Sequence, residues 1–319
     1  MATYDAAISR TEAQALMPED VTREILGEVA RDSAVMTLGR RLQDMTRKQR
    51  RMPVWSSLPT AYFVDGDTGL KQTTDVSWDN VYLNAEELAV IVPIPEAVLD
   101  DADYDIFGEA RPAIVSAIGK AFDQAVLYGI NAPASWPECV LEAAEAAGHE
   151  VTLNVSYSDL YDDIFAENGV IAKVEEDGYM VNGHVAALSL RAKLRGLKDA
   201  DNRPIFLANL QDAAQYALDG EQLVFPRNGA IDPSRALLIS GDWSQLVWAV
   251  RQDVTFKVLT EAVIQDGNGA IVYNLAQQDM VALRVVFRVG WALPNPINLV
   301  NTNAATRYPF AFLEPFQAS

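Results

Sequence analysis

Between Met52 and Pro95 the chain alternates β-type residues with turn signals over a length that a two-stranded ribbon cannot bury by itself. The stretch reads WSSLPTAYFV, then DGDTGLKQTT, then DVSWDNVYLNAEELAVIVPIP. It predicts a long hairpin over 51–95 with its tip at Asp65-Gly66-Asp67-Thr68-Gly69, where Gly and Asp reach positive φ at little cost. Tyr62, Phe63, Trp78 and Tyr82 lie on the flanking strands. A ribbon has no second layer of its own, so its aromatic side chains leave water only against a surface supplied from elsewhere.

The segments on either side point the same way. Residues 1–50 hold only short helical patterns, such as Pro18 to Arg31 with Val21, Ile25, Leu26 and Val29 on one face. They read as an arm that leans on something else. After the hairpin, Asp105 to Gly129 predicts the longest helix, with Ile114, Ile118, Ala121, Phe122, Ala125 and Val126 at helical spacing and Gly129 as its stop. Pro112 either sits in its first turn or interrupts a helix that began earlier. A second helix is expected near Ser156, where Ser156 and Asp159 have capping-box spacing, ending by Gly169 or Gly178. MVNGHVAALSLRAKLRGLKD reads as strand, turn and helix, and a strand is expected at Arg235 to Ser240. Met280 to Leu293 predicts a long strand with Val281, Leu283, Val285 and Phe287 alternating against Arg284 and Arg288. Pro294 and Pro296 end it, before a tail carrying Tyr308, Phe310, Phe312 and Phe316.

Composition narrows the function classes. Two histidines, His149 and His184, leave little material for acid–base chemistry near neutral pH. His184 reads as a turn or core histidine. The single cysteine, Cys139, makes neither an intramolecular disulfide nor a zinc site, and reads as a packed free thiol. No Gly-x-Ser-x-Gly elbow and no Gly-rich phosphate loop appears, so an α/β enzyme is a remote alternative and no catalytic residue or cofactor is assigned. A net charge of -19 opposes nucleic-acid binding by the whole surface. No stretch nears the ~20 apolar residues of a membrane helix, and the N-terminus lacks a signal-peptide layout, so a cytoplasmic protein with no membrane partner is expected.

The order of these segments resembles the Hong Kong 97-type major capsid protein of tailed bacteriophages. The resemblance covers nearly the whole chain. It rests most on VPIPEAVLDDADYD after the hairpin, the helix ending in AVLYG, GDWSQLVWAVRQDVTFKVL, and QDMVALRVVFRVGWALPNPINLV. It implies an α+β fold divided into an N-terminal arm at 1–50, an extended hairpin or E-loop at 51–95, a peripheral domain at 96–150 and 276–319 built on a spine helix, and an axial domain at 151–275. It further implies self-assembly into the hexamers and pentamers of an icosahedral shell around double-stranded DNA, made in the host bacterial cytoplasm. A portal protein and, in some shells, decoration proteins are the other partners implied. Family members often begin with a charged helical scaffolding segment, whereas this chain passes from Met1 straight into the arm, so a separate scaffolding protein and no prodomain removal are expected. Encapsulin-type nanocompartments share the fold and are the alternative; their usual N-terminal helix differs from a long arm.

Several residues gain a candidate role in that setting. Arg40, Arg41, Arg47, Lys48, Arg50 and Arg51 crowd one segment and either pair with an acidic belt such as Asp100 to Asp105 on a neighbour or touch packaged DNA; the neighbour is the favoured reading. The aspartates themselves complement the following helix dipole more simply than they hold a metal ion, and none is assigned. Some family members join subunits by a lysine–asparagine isopeptide bond assisted by a buried carboxylate. That precedent would make Lys71 the hairpin lysine, Asn295, Asn298, Asn301 or Asn303 its partner and Glu314 the carboxylate; the simpler reading makes Lys71 a solvated tip residue and the asparagines turn formers.

Overall fold

The computed structural model describes residues 33–64, 71, 73–97, 106–153, 160–197 and 217–316, with the backbone alone over 106–111. The helical pattern at Pro18 to Arg31, the hairpin tip at Asp65 to Gly69, Asp100 to Asp105 and the capping pair Ser156 and Asp159 lie outside these residues.

Helix α1, Ala34–Leu38, leads into strand β1, Arg40–Arg41. Strands β2, Gln49–Ser57, and β3, Ser77–Asn84, form an antiparallel ribbon, and β4, Glu86–Pro95, follows at once. The long helix α2 spans Ile106–Tyr128, α3 spans Val140–Ala146 and β5 spans Glu150–Thr152. Helices α4, Leu160–Phe165, and α5, Val170–Glu176, come before β6, Gly183–Ala186, and α6, Leu188–Gly196. Eight strands complete the described chain: β7, Ala217–Leu218; β8, Glu221–Val224; β9, Leu238–Gly241; β10, Val247–Leu259; β11, Val263–Gln265; β12, Ile271–Asn274; β13, Met280–Ala292; and β14, Phe310–Glu314.

Two larger sheets organise these elements. One has the order β1-β10-β13-β4, the other β5-β14-β9-β6-β8-β7. Helix α2 lies between them, because Ile118, Phe122 and Val126 join one buried cluster with Val285 and Phe287 of β13 and Phe310 of β14. The other face of the six-stranded sheet is covered by α4, α5 and α6 through Leu160, Ile164, Val174, Leu190 and Leu194. Helix α2 stops where Gly129 takes φ +70, a left-handed conformation that glycine adopts without strain. Arg235 reaches its last turn from a distant loop and donates to the Tyr128 carbonyl at 3.1 Å, placing a cation at the negative helix end. Pro112 falls inside the helix, so the helix began earlier and Pro112 withholds one amide from its ladder.

The structure differs from two expectations. The ribbon is shorter than 51–95: its ladder ends with Gln49 opposite Asn84, and β4 pairs with β13 from Val289–Glu86 to Met280–Pro95. Alternating apolar residues continue through Asn84, but the partner changes, which local pattern does not encode. The sheets also cut across the expected boundary at 275/276, since β10 pairs with β13 in the four-stranded sheet whereas β14 returns to β9 and β5 in the six-stranded one. Strand β13 is as expected, with Arg284 and Arg288 set against buried Val281, Leu283, Val285 and Phe287; the rest of its outer face is buried too, because it is an inner strand with a second small cluster of Leu275, Met280 and Ala282 beneath it.

Candidate assembly surfaces

The β2–β3 ribbon has one occupied face and one bare face. Met52, Val81 and Leu83 point inward, where they pack with Met45, Ala85, Val247, Ala249 and Ala292. The alternate residues form the opposite face: Arg51 stands across from Tyr82, Pro53 from Asn80 and Trp55 from Trp78. The two indoles lie 5.0 Å apart, yet Trp55, Trp78 and Tyr82 remain 44%, 61% and 47% exposed. Beyond β2, Tyr62 is partly exposed and Phe63 wholly so. Trp55 belongs to this surface as much as Trp78 does. Its role depends on the strand register, and the only sequence signal for it is its place two and four residues from Pro53 and Arg51.

The ribbon is fixed at its root. Asn84 donates to the Ser135 carbonyl at 2.8 Å and accepts from the Trp136 indole at 3.0 Å through its own carbonyl. Across the sheet, a Cβ at Gly290 would lie 2.5 Å from the Asn84 oxygen, so only glycine lets the two backbones approach this closely. Further along, the Ile297 amide donates to the Trp55 carbonyl at 3.3 Å.

The six clustered cations divide into two sets. Arg41 pairs with Asp44 at 3.0 Å and lies over the Trp248 ring, Arg50 donates to the carbonyls of Gln43 and Asp44 at 2.8 and 3.0 Å, and Lys48 pairs with Glu86 at 3.1 Å. A hydrogen bond from Ser135 and the Lys48 charge hold the Glu86 carboxyl below its ordinary range. Arg40, Arg47 and Arg51 are exposed and make no ion pair among the described residues. Half of the cluster is thus committed to shaping the segment before the ribbon.

Around the far turn the asparagine amides are engaged in local bonds. Asn295, with φ +41, donates to the Arg307 carbonyl and accepts from the Tyr179 hydroxyl at 2.8 Å each. Asn298 donates to the Asp177 carbonyl at 2.7 Å, Asn301 donates to the Asp177 carboxylate at 2.6 Å, and Asn303 accepts from the Ala305 amide at 3.0 Å. Lys71 is exposed. Glu314 sits diagonally from Glu150 on the same face of the β5–β14 pair, and their contact, with burial and the Glu145 charge adding to it, raises the Glu150 carboxyl to about 7.

Neither histidine lies in an open cleft. His184 is fully buried between the Ser240 hydroxyl at 2.8 Å and the Leu218 carbonyl at 3.1 Å, and burial lowers its pKa to about 4. This matches the reading of a core histidine. His149 contacts the Phe310 carbonyl at 3.0 Å and buried Asp177 at 3.1 Å, and Cys139 is buried at the start of α3. Among the described residues no three His, Cys, Asp or Glu side chains converge as metal ligands, and no helix is long and apolar enough to cross a membrane.

A long helix held between two sheets, with an aromatic ribbon extending from it, is the Hong Kong 97-like α+β fold of phage shell subunits. Solved structures from Microbacterium phage Oxtober96 and Mycobacterium phage Cain superpose on the chain with TM-scores of 0.75 and 0.77, at 35% and 34% identity; each match covers 98% of this chain and 100% of the other. The major capsid protein of Staphylococcus phage 80alpha is 26% identical over 289 residues, 89% of this chain and 84% of that protein. The sequence matches the phage capsid family over residues 13–301, and the chain belongs to that family. Its role is that of a phage major capsid protein, a structural component of the virion that assembles with itself.

Proposed function

We propose that the chain forms hexamers and pentamers of an icosahedral shell that encloses phage double-stranded DNA without reading its sequence. The observation that carries this reading is the bare ribbon face: Trp55, Trp78 and Tyr82 are held in register on a fixed root but stay in water within one subunit. Covering such side chains against a neighbour stabilises the contact by roughly 1.5–3 kcal/mol per fully buried group. Arg40, Arg47 and Arg51 supply its charged margin against an acidic neighbour, because shells of a chain with net charge -19 need local attraction to overcome mutual repulsion. Assembly takes place in the host cytoplasm with a separate scaffolding protein and a portal, and decoration proteins add from outside. The ribbon serves as the E-loop, α2 as the spine helix, and the six-stranded sheet as the centre of the axial domain. The asparagines of the far turn act as turn formers, so mature particles should run as a single 35.0 kDa band on denaturing gels. A ladder of higher bands would instead favour the Lys71 crosslink.

Expression with the scaffolding protein, followed by negative-stain electron microscopy, tests the reading. Closed shells of uniform diameter are expected, with DNA in particles from infected cells. Persistent monomers would overturn it, and shells filled with an enzyme cargo would favour a nanocompartment.

A further inference from the structure

The loop joining β13 to β14 carries an apolar tip on a tightly tied base. Leu299 and Val300 are 81% and 68% exposed. Adjacent exposed aliphatic side chains on a mobile loop would be unremarkable, but this loop is held from three sides. The Asp177 carboxylate accepts from Asn301 and from the Tyr308 amide, both at 2.6 Å, while its carbonyl accepts from Asn298. Arg307, only 3% exposed, directs its guanidinium to the Asn301 carbonyl at 2.9 Å and to the carbonyl and side chain of Asn295 at 3.1 and 3.2 Å. Gly178 takes φ +77, and a Cβ there would lie 2.7 Å from Val300 Cβ, so the loop sits directly on the end of α5. The ordering entropy of the tip is therefore already met in the subunit, as in a preorganised binding surface.

Charge and continuity indicate what covers it. There is no Asp or Glu between Asp279 and Glu314, although the chain as a whole carries -19. The loop itself thus brings no anion to a meeting of two copies, and the nearest exposed carboxylates, Glu175 and Glu176, lie beside it at the end of α5. The bond from Ile297 to the Trp55 carbonyl ties the loop to strand β2 at a residue of the bare face. Leu299 and Val300 thereby add apolar surface to that of Trp55, Trp78 and Tyr82, each of the five being at least 44% exposed, toward the ~800 Å² that one partner contributes to a standard interface.

We propose that the Leu299–Val300 tip is an assembly contact that docks against a second copy of this chain, extending the ribbon interface. This inference rests on the shell-subunit reading. The test is the double substitution L299S/V300S, compared with wild type by sedimentation and negative-stain microscopy after expression with the scaffolding protein, with thermal melting of the unassembled subunit as a check on folding. The expected result is an unchanged melting midpoint and a loss of shells of ~tenfold or more. Shells at wild-type yield would overturn the inference and leave the shell reading intact, as would normal shells that fail to bind a decoration protein. Absence of shells from wild type itself would remove both.

Discussion

Replacing Asp123 by Asn probes how the segment before the ribbon is tied to helix α2. Asp123 is fully buried, and its carboxylate accepts from the Ser33 hydroxyl at 2.5 Å and from the amides of Ala34 and Val35 at 2.9 and 3.2 Å. Those amides open α1, where Ser33 already caps locally by accepting from the Met36 amide at 3.1 Å, so a side chain 88 or more residues away completes the capping by taking the two amides that Ser33 leaves. Burial raises the carboxyl pKa from 3.8 to about 6, against the opposing pull of these donors and Asn228. The folded state therefore holds a proton between those values that the unfolded chain has released. Its contribution to stability is complete below the unfolded pKa and is lost as pH rises through the folded one. The total is about 3 kcal/mol, of which about 1.4 kcal/mol falls between about pH 5 and pH 7.5. Asn keeps the volume and does not titrate. Urea denaturation of the unassembled wild-type and D123N subunits, followed by tryptophan fluorescence, should show the stability difference shifting toward D123N by that amount between the two pH values. The other carboxylates cancel in the difference. Parallel pH dependences in the two proteins would refute the assignment, and unchanged amide exchange at Val35 in Asp123→Ala would refute the capping role.

Three further outcomes follow from the geometry. His184→Gln should flatten stability in the opposite direction: the folded histidine pKa is lowered to about 4, so wild type keeps its full contribution above about pH 6.5 and loses it as pH falls toward 4, and the gap between the proteins should narrow on acidification. Gly290→Ala should cost about 1–3 kcal/mol in urea denaturation, because the new methyl group meets the Asn84 oxygen and Leu83 where neither strand can retreat. Arg47→Glu with Arg51→Glu should leave subunit stability within about 0.5 kcal/mol and sharply reduce shell formation in sedimentation; normal shells would mean that these charges do not face a neighbour.

Elements with a strong period were legible in the sequence. The buried stripe of Ile114, Ile118, Phe122 and Val126 and the stop at Gly129 placed α2, and unbroken β-type residues placed β13. What escaped was long-range pairing. Residues 86–95 look like the continuation of the ribbon, and only the presence of β13 beside them decides otherwise. Trp78 and Tyr82 were visible as aromatics without a local core, whereas Trp55 joins them through register alone. The cation cluster stood out as a cluster, but its division did not, because the acceptors of Arg50 are main-chain carbonyls that every sequence has. Asp177 and Arg307 left no motif: a buried aspartate and a buried arginine 130 residues apart become a unit only when the turn between β13 and β14 closes over α5.

The β1–β10 pairing also sets a clock. Arg40 and Arg41 hydrogen-bond alongside Val247 and Trp248, and Glu86 to Pro95 pair with residues beyond Asp279. Closing such distant strands carries a large loop entropy and is slow compared with forming the ribbon, whose two strands lie close in sequence. On a translating ribosome the ribbon emerges early, while the strand that seats it and the Ile297 amide that meets Trp55 emerge only after Asp279. A nascent subunit therefore has its exposed aromatic ribbon before it has a finished body. Truncated or stalled chains would display aromatic surface without the geometry to close a shell.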